Sequence, residues 1–292
     1  MALRQLSGVG IVAVAVAITA CSPSVVPRTD QRPGSSATDA QFGHIHAVDL
    51  NPTDGSVFVA SDHGVFRIDP RGALVRIIGR AQDTMGFTVT GDNRILASGH
   101  PDGPEAGPAD LGLIVSEDGA RTWTPVALSG VADFHTLSAA GVTIYGFDSV
   151  TGSVMRSDDN GQHWQHGATF VTTDLDVDPT DPLRVLAVTP DGLRKSIDGG
   201  VTFSLVQPQP PRPLVLVDHI VYTLDADRVA AVAGVDASGG VWALGDGGWE
   251  ASGALPGAPT AFTVVAPDSF LAATAQHVLR SEDAGRSWSA LT

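Results

Sequence analysis

Cysteine is almost absent. The 292 residues contain one, Cys21, so no intrachain disulfide can form. Lysine also occurs once, as Lys195, and nearly every cation is therefore an arginine. There are two tyrosines, Tyr145 and Tyr222, and four glutamates, Glu105, Glu117, Glu250 and Glu282. The balance of charge is strongly negative, with 17 Lys+Arg against 32 Asp+Glu and a formal net charge of −15. Such a surface disfavours nucleic acid and anionic lipid as partners. Gly-x-Ser-x-Gly elbows and phosphate-binding loops are missing, and beyond Cys21 there is no cysteine to act as a nucleophile.

Long apolar runs are missing too. The one pronounced stretch, Val9 to Ile18, follows Arg4 and is too short to span a bilayer permanently. It reads as an export signal over residues 1–20. Its end, Ile18-Thr-Ala-Cys21, resembles a bacterial lipobox, which implies lipidation of Cys21 and stable anchoring by several acyl chains. Residues 21–41 are rich in Pro, Ser and Thr without periodicity, the composition of a flexible tether. The expected location is the outer side of the bacterial cytoplasmic membrane or the cell envelope.

What the chain has in quantity is glycine (33), proline (19) and a repeated turn. Ser116-Glu-Asp-Gly-Ala-Arg-Thr-Trp123, Ser157-Asp-Asp-Asn-Gly-Gln-His-Trp164, Ser196-Ile-Asp-Gly-Gly-Val-Thr-Phe203 and Ser281-Glu-Asp-Ala-Gly-Arg-Ser-Trp288 share one template. Its aspartate can fold back onto N–H groups of its own turn, a glycine supplies a positive φ, and the closing aromatic begins a strand. A shortened copy, Val241-Trp-Ala-Leu-Gly-Asp-Gly-Gly-Trp249, fills the gap before the last repeat. Gly64-Val-Phe-Arg-Ile68 matches the strand leading into a first, degenerate copy. The spacing is that of four-stranded propeller blades. Six units stacked radially would each bury two apolar faces that none could bury alone.

This template resembles the Asp box, or BNR repeat, of sialidase-like β-propellers, across most of residues 44–292. The expectation is an all-β, six-bladed propeller of antiparallel blades over residues 42–292. Asp118, Asp159, Asp198, Asp246 and Asp283 would hold the turns between the third and fourth strands. The turn aromatics would wedge between blades. In blade 5, Leu214–Leu224 is long for one strand, and Ile220–Leu224 could instead be a second.

In such a fold the box turns mark one face, and the loops on the other face carry the usual site. Six histidines fall on that second face: His44, His46, His63, His100, His135 and His277. They could line a pocket for a glycan, small molecule or protein. His44, His46 and His135 could bind a transition metal, though their spacing matches no short metal motif. Asp133, Asp148 and Glu105 map to the same region and are the candidates for acid–base hydrolysis of a glycoside. A sialidase site is not assembled, because Phe66-Arg-Ile-Asp69 resembles that family's arginine motif but sits in the wrong strand. Segments such as His44-Ile-His46 and Asp133-Phe-His135 resemble bacterial lipoprotein propellers labelled glycosyl hydrolases. That likeness implies a fold and leaves the activity open. The domain is expected to be monomeric.

Overall fold

The computed structural model describes residues 41–78, 81–103, 107–224, 227–245 and 247–292. Blade 1 consists of β1 (Ile45–Leu50), β2 (Val57–Ser61), β3 (Gly64–Ile68) and β4 (Leu74–Arg76). Blade 2 is β5 (Asp83–Gly91), β6 (Arg94–His100), β7 (Leu113–Ser116) and β8 (Thr124–Ala127). Blade 3 is β9 (Phe134–Ala140), β10 (Thr143–Asp148), β11 (Ser153–Ser157) and β12 (Gln165–Thr169). Blade 4 is β13 (Asp174–Val177), β14 (Val185–Thr189), β15 (Gly192–Ser196) and β16 (Ser204–Leu205). Blade 5 is β17 (Leu214–Leu224), β18 (Asp227–Asp236), β19 (Gly240–Gly245) and β20 (Gly248–Ala254). Blade 6 is β21 (Pro259–Ala266), β22 (Ser269–Thr274), β23 (Val278–Ser281) and β24 (Ser289–Ala290). Each blade is a four-stranded antiparallel meander, and the six form a ring.

The ambiguity in blade 5 resolves in favour of one strand. β17 pairs with β18 from Leu214↔Asp236 to Leu224↔Asp227, so Ile220–Leu224 belongs to the first strand. Gly245 pairs with Gly248, which leaves a two-residue connection where the full turn would need more. Asp246 lies outside the described residues.

The repeated turn earns its recurrence through hydrogen bonds. In the blade 2 copy, the Ser116 hydroxyl donates to Asp118 Oδ1 at 2.9 Å and accepts the Ala120 N–H at 2.9 Å. Asp118 Oδ1 also accepts the Thr122 N–H at 2.9 Å. The same serine and aspartate bonds recur at Asp159, Asp198 and Asp283. Because the ionised form is the one accepting these bonds, Asp159, Asp198 and Asp283 are each held down to about 2.

The core is divided among the seams between blades. Trp123 packs in the seam of blades 1 and 2, Trp164 in that of 2 and 3, and Phe203 in that of 3 and 4. Trp249 and Trp288 do the same for the next two seams. Blade 1 lost its box, and the closing seam of blades 6 and 1 is filled differently. Phe42, from just before β1, meets Phe66 edge-on with centroids 4.7 Å apart.

Candidate functional site

The first strand of every blade faces the ring axis, and together these strands line a central cavity of about 720 Å³. Alternation along a strand sends every second side chain to the same face. His44 and His46 at the start of blade 1, and His135 in blade 3, accordingly reach the cavity. So do four aspartates, Asp49, Asp174, Asp176 and Asp218, and a fourth histidine, His219. Among the described residues, no arginine or lysine lines it.

At the start of β1 the rings of His44 and His46 are 4.8 Å apart, with their Nδ1 atoms facing each other at 3.3 Å. His46 Nε2–H donates to Asp62 Oδ1 at 2.8 Å, and Asp83 Oδ1 lies 3.2 Å from the same nitrogen. Asp62 comes from the loop between β2 and β3, where its Oδ2 also accepts the His44 N–H at 2.8 Å. Gly43 makes this approach feasible. It has φ +69, and a Cβ there would stand 2.7 Å from Asp62 Oδ2.

Burial opposes charging His46, but Asp83 and Asp62 outweigh it and its pKa is raised. His44 is lowered, by burial and then by His46. Burial likewise opposes the charge on Asp62, and the His44 N–H and the His46 ring outweigh it, so Asp62 is held below the ordinary range. His44, His46 and Asp62 form a group with the donor atoms to hold a metal ion. His135, expected in that group, is engaged elsewhere: its Nε2–H donates to Asp133 Oδ2 at 2.8 Å.

The remaining expected residues are placed less centrally. His63 Nδ1 bonds the Gln41 carbonyl at 3.1 Å, and His277 Nδ1 bonds the Thr292 carbonyl at 3.0 Å. Both are committed to backbone at the ends of the domain and do not line the cavity. His100 bonds the Ala109 carbonyl at 3.0 Å and lines a separate pocket of about 500 Å³ with Pro101 and Gly107. Its Nε2 stands 3.9 Å from Asp133 Oδ1, a buried oxygen without a hydrogen-bond partner.

Asp148 is a structural acceptor. It takes the N–H groups of Asp133, Val150 and Thr151 and the Thr151 hydroxyl, and is almost wholly buried. Its oxygens are used up, which removes it as an acid–base group. Asp133 is buried beneath His135 and also accepts the Ser149 hydroxyl at 2.6 Å. Burial opposes its charge, but His135 and Ser149 hold it below the usual range. Glu105 lies outside the described residues.

The aspartates on the cavity wall were not legible as a site, although Asp174-Leu-Asp176 shows the alternation that would place both on one face. Asp176 Oδ2 accepts the His219 ring at 2.5 Å and the His219 N–H at 2.9 Å. Burial disfavours its charge, yet His219 holds Asp176 low. Asp218, beside it, is pushed up by burial and by the Asp176 charge. Asp174 is pushed up to about 8 by burial, and Asp49 to about 6.

Among solved structures, the chain is similar to a GH74 xyloglucanase from Xanthomonas campestris, at 21% identity and a TM-score of 0.54. That match covers 85% of this chain and 38% of the other, so the chain spans about two-fifths of the xyloglucanase's length. It is similar to YCF48 bound to D1 peptide, with 14% identity, a TM-score of 0.52, and 85% and 80% of the two chains covered. A candidate gluconolactonase matches at 11% identity with a TM-score of 0.63, over 82% and 88% of the chains. The chain has the fold of the GH74 and YCF48 β-propellers. Neither a protein-family model nor a curated protein matches the sequence.

Proposed function

We propose that this protein is an exported propeller, anchored through a lipid on Cys21, that binds a polar ligand at the mouth of its central cavity. The supporting observation is the wall itself: four aspartates and four histidines face a volume large enough for a small molecule, with no arginine or lysine among the described residues that line it. A carboxylate or phosphate ligand would meet repulsion there, whereas a neutral polyhydroxylated molecule or a cation would be accepted. Imidazoles and carboxylates offer both donors and acceptors to hydroxyl groups. Thermal-shift screening of the full chain tests this. Neutral oligosaccharides or organic cations should raise the Tm where their carboxylated counterparts do not. Stabilisation by the acidic members alone would refute the reading.

A second reading is glycoside hydrolysis, favoured by one observation: Asp176, held low by His219, lies beside Asp218, which burial pushes up, so two neighbouring carboxyls are driven apart towards base and acid roles. The xyloglucanase with the same fold is a glycoside hydrolase, a likeness of architecture alone. Turnover of aryl glycosides that disappears in Asp176→Asn and Asp218→Asn would establish it. Turnover that survives both substitutions, or none at all, would end it. Among cationic ligands, a transition metal is the one for which His44 and His46 provide donors.

A further inference from the structure

The Nδ1 atoms of His44 and His46 lie 3.3 Å apart, a separation that a hydrogen bond between the rings satisfies and that two bonds to one shared ion also fit. Two bonds of ~2.0–2.1 Å to a common ion, spanning the observed 3.3 Å, enclose about 107°. That is the tetrahedral angle. A square-planar ion would bring the nitrogens nearer, to about 2.9 Å at the same bond length.

The tautomer agrees. His46 Nε2 lies 2.8 Å from Asp62 Oδ1, an acceptor that requires the ring proton on Nε2, with Asp83 Oδ1 3.2 Å from the same nitrogen. Asp83 Oδ1 has no other partner, since it makes no hydrogen bond of its own. That leaves the lone pair of neutral His46 on Nδ1, the nitrogen nearest His44. A ligating histidine with its far nitrogen bonded to carboxylate is the arrangement by which proteins orient and strengthen a metal ligand.

We propose that His44 Nδ1 and His46 Nδ1 together bind one zinc(II) ion at the cavity mouth. Asp62 and Asp83 act on the His46 ring as positioning residues, and the ion's other positions open onto the cavity. This assigns Asp62, which lies within the same cluster, to orienting the ligand; its oxygens are already engaged by His46 and by the His44 N–H. It rests on the mouth being the binding site, and it names the ion that makes it one. Zinc with open positions can take up a neutral oxygen ligand from the cavity as a Lewis acid.

The test uses full-length protein without an affinity tag, stripped of metal, and titrated with zinc(II) by calorimetry and with cobalt(II) by absorption. One equivalent of zinc should bind, and cobalt(II) should show the intense visible bands of four-coordination. His44→Ala, at an exposed position, should weaken zinc binding by roughly 100-fold or more, while His277→Ala and His163→Ala leave it unchanged. Asp62→Asn should weaken it ~10–100-fold and perturb the cobalt spectrum. A purely structural Asp62 would leave that spectrum alone. Absence of stoichiometric zinc, or zinc binding that His44→Ala leaves intact, overturns the proposal. If zinc fails while neutral oligosaccharides still stabilise the metal-free protein, the mouth remains a ligand site and only the ion is wrong. If both fail, the mouth is not a site.

Discussion

Asp174 in blade 4 accepts the backbone N–H of Val217 in blade 5 at 2.8 Å, so one side chain ties two neighbouring sheets together on the cavity wall. The device is repeated around the axis. Asp49 takes the Val89 N–H at 2.7 Å between blades 1 and 2, and Asp218 takes the Val264 N–H at 2.6 Å between blades 5 and 6. Asp176 takes the His219 N–H at 2.9 Å. Where aspartate is absent, hydroxyls substitute: Ser138 accepts the Val177 N–H at 3.0 Å, and Thr263 donates to the Val48 carbonyl at 2.6 Å.

These latches set a pH dependence. Asp174, pushed up to about 8, Asp49, pushed up to about 6, and Asp218, also raised, all bind protons in the folded state that the unfolded chain has released. Between about pH 4 and pH 8 the native state is therefore the more protonated, and stability falls as pH rises. The box aspartates, held at about 2, lose their contribution only below about pH 4, outside that window. Thermal melts should show the highest Tm near pH 4–5 and a decline towards pH 8. Asp174→Asn, which keeps an acceptor oxygen for the Val217 N–H and cannot ionise, should flatten the decline and raise the Tm towards pH 8.

The box serine is expected to matter as much as its aspartate. Ser116 is buried and accepts the Ala120 N–H, which would be left without a partner in Ser116→Ala. An unsatisfied buried donor costs ~1–3 kcal/mol, and each kcal/mol lowers Tm by roughly 2–4 °C in a domain of this size. Differential scanning calorimetry checks it.

The closing seam gives a sharper test. Phe42 is fully buried against Phe66, and its removal opens a cavity where no box aromatic is available. Phe42→Ala should cost ~3–5 kcal/mol. Denaturant titration would show it as a lower midpoint. A change well under 1 kcal/mol would mean that the seam does not depend on this ring.

The anchor is tested in cells. Cys21→Ser should release the protein from the membrane fraction into the soluble one, and an unchanged membrane fraction would refute lipidation.

Why the fold was legible and the site only partly so follows from the range of the interactions involved. The turn at Ser281–Trp288 is local: its hydrogen bonds span two to four residues, so a repeated string of residues reports a repeated structure. Counting its copies gave the six blades, even where the connection between β19 and β20 had shrunk to two residues. His44, His46 and His135, singled out from the sequence, do line the central cavity. What the sequence could not specify was the direction of a ring within its loop. His63 and His277 satisfy carbonyls at opposite ends of the domain, a choice set by how blades 1 and 6 meet. Asp62 and Asp83 reach His46 from two different blades, and no spacing encodes that meeting. Asp174, Asp176 and Asp218 bond residues about 43–46 positions away, one blade on, so their role appears only once the ring is closed.

The central claim is that ligands bind among the imidazoles at the cavity mouth. Histidine-selective NMR of the full chain during titration with a stabilising neutral oligosaccharide or with zinc(II) tests it most directly. Binding at the mouth predicts that the His44, His46 and His135 ring signals move together while those of His63, His163 and His277 stay fixed. Movement confined to the latter three, with the mouth unperturbed at saturation, would contradict it.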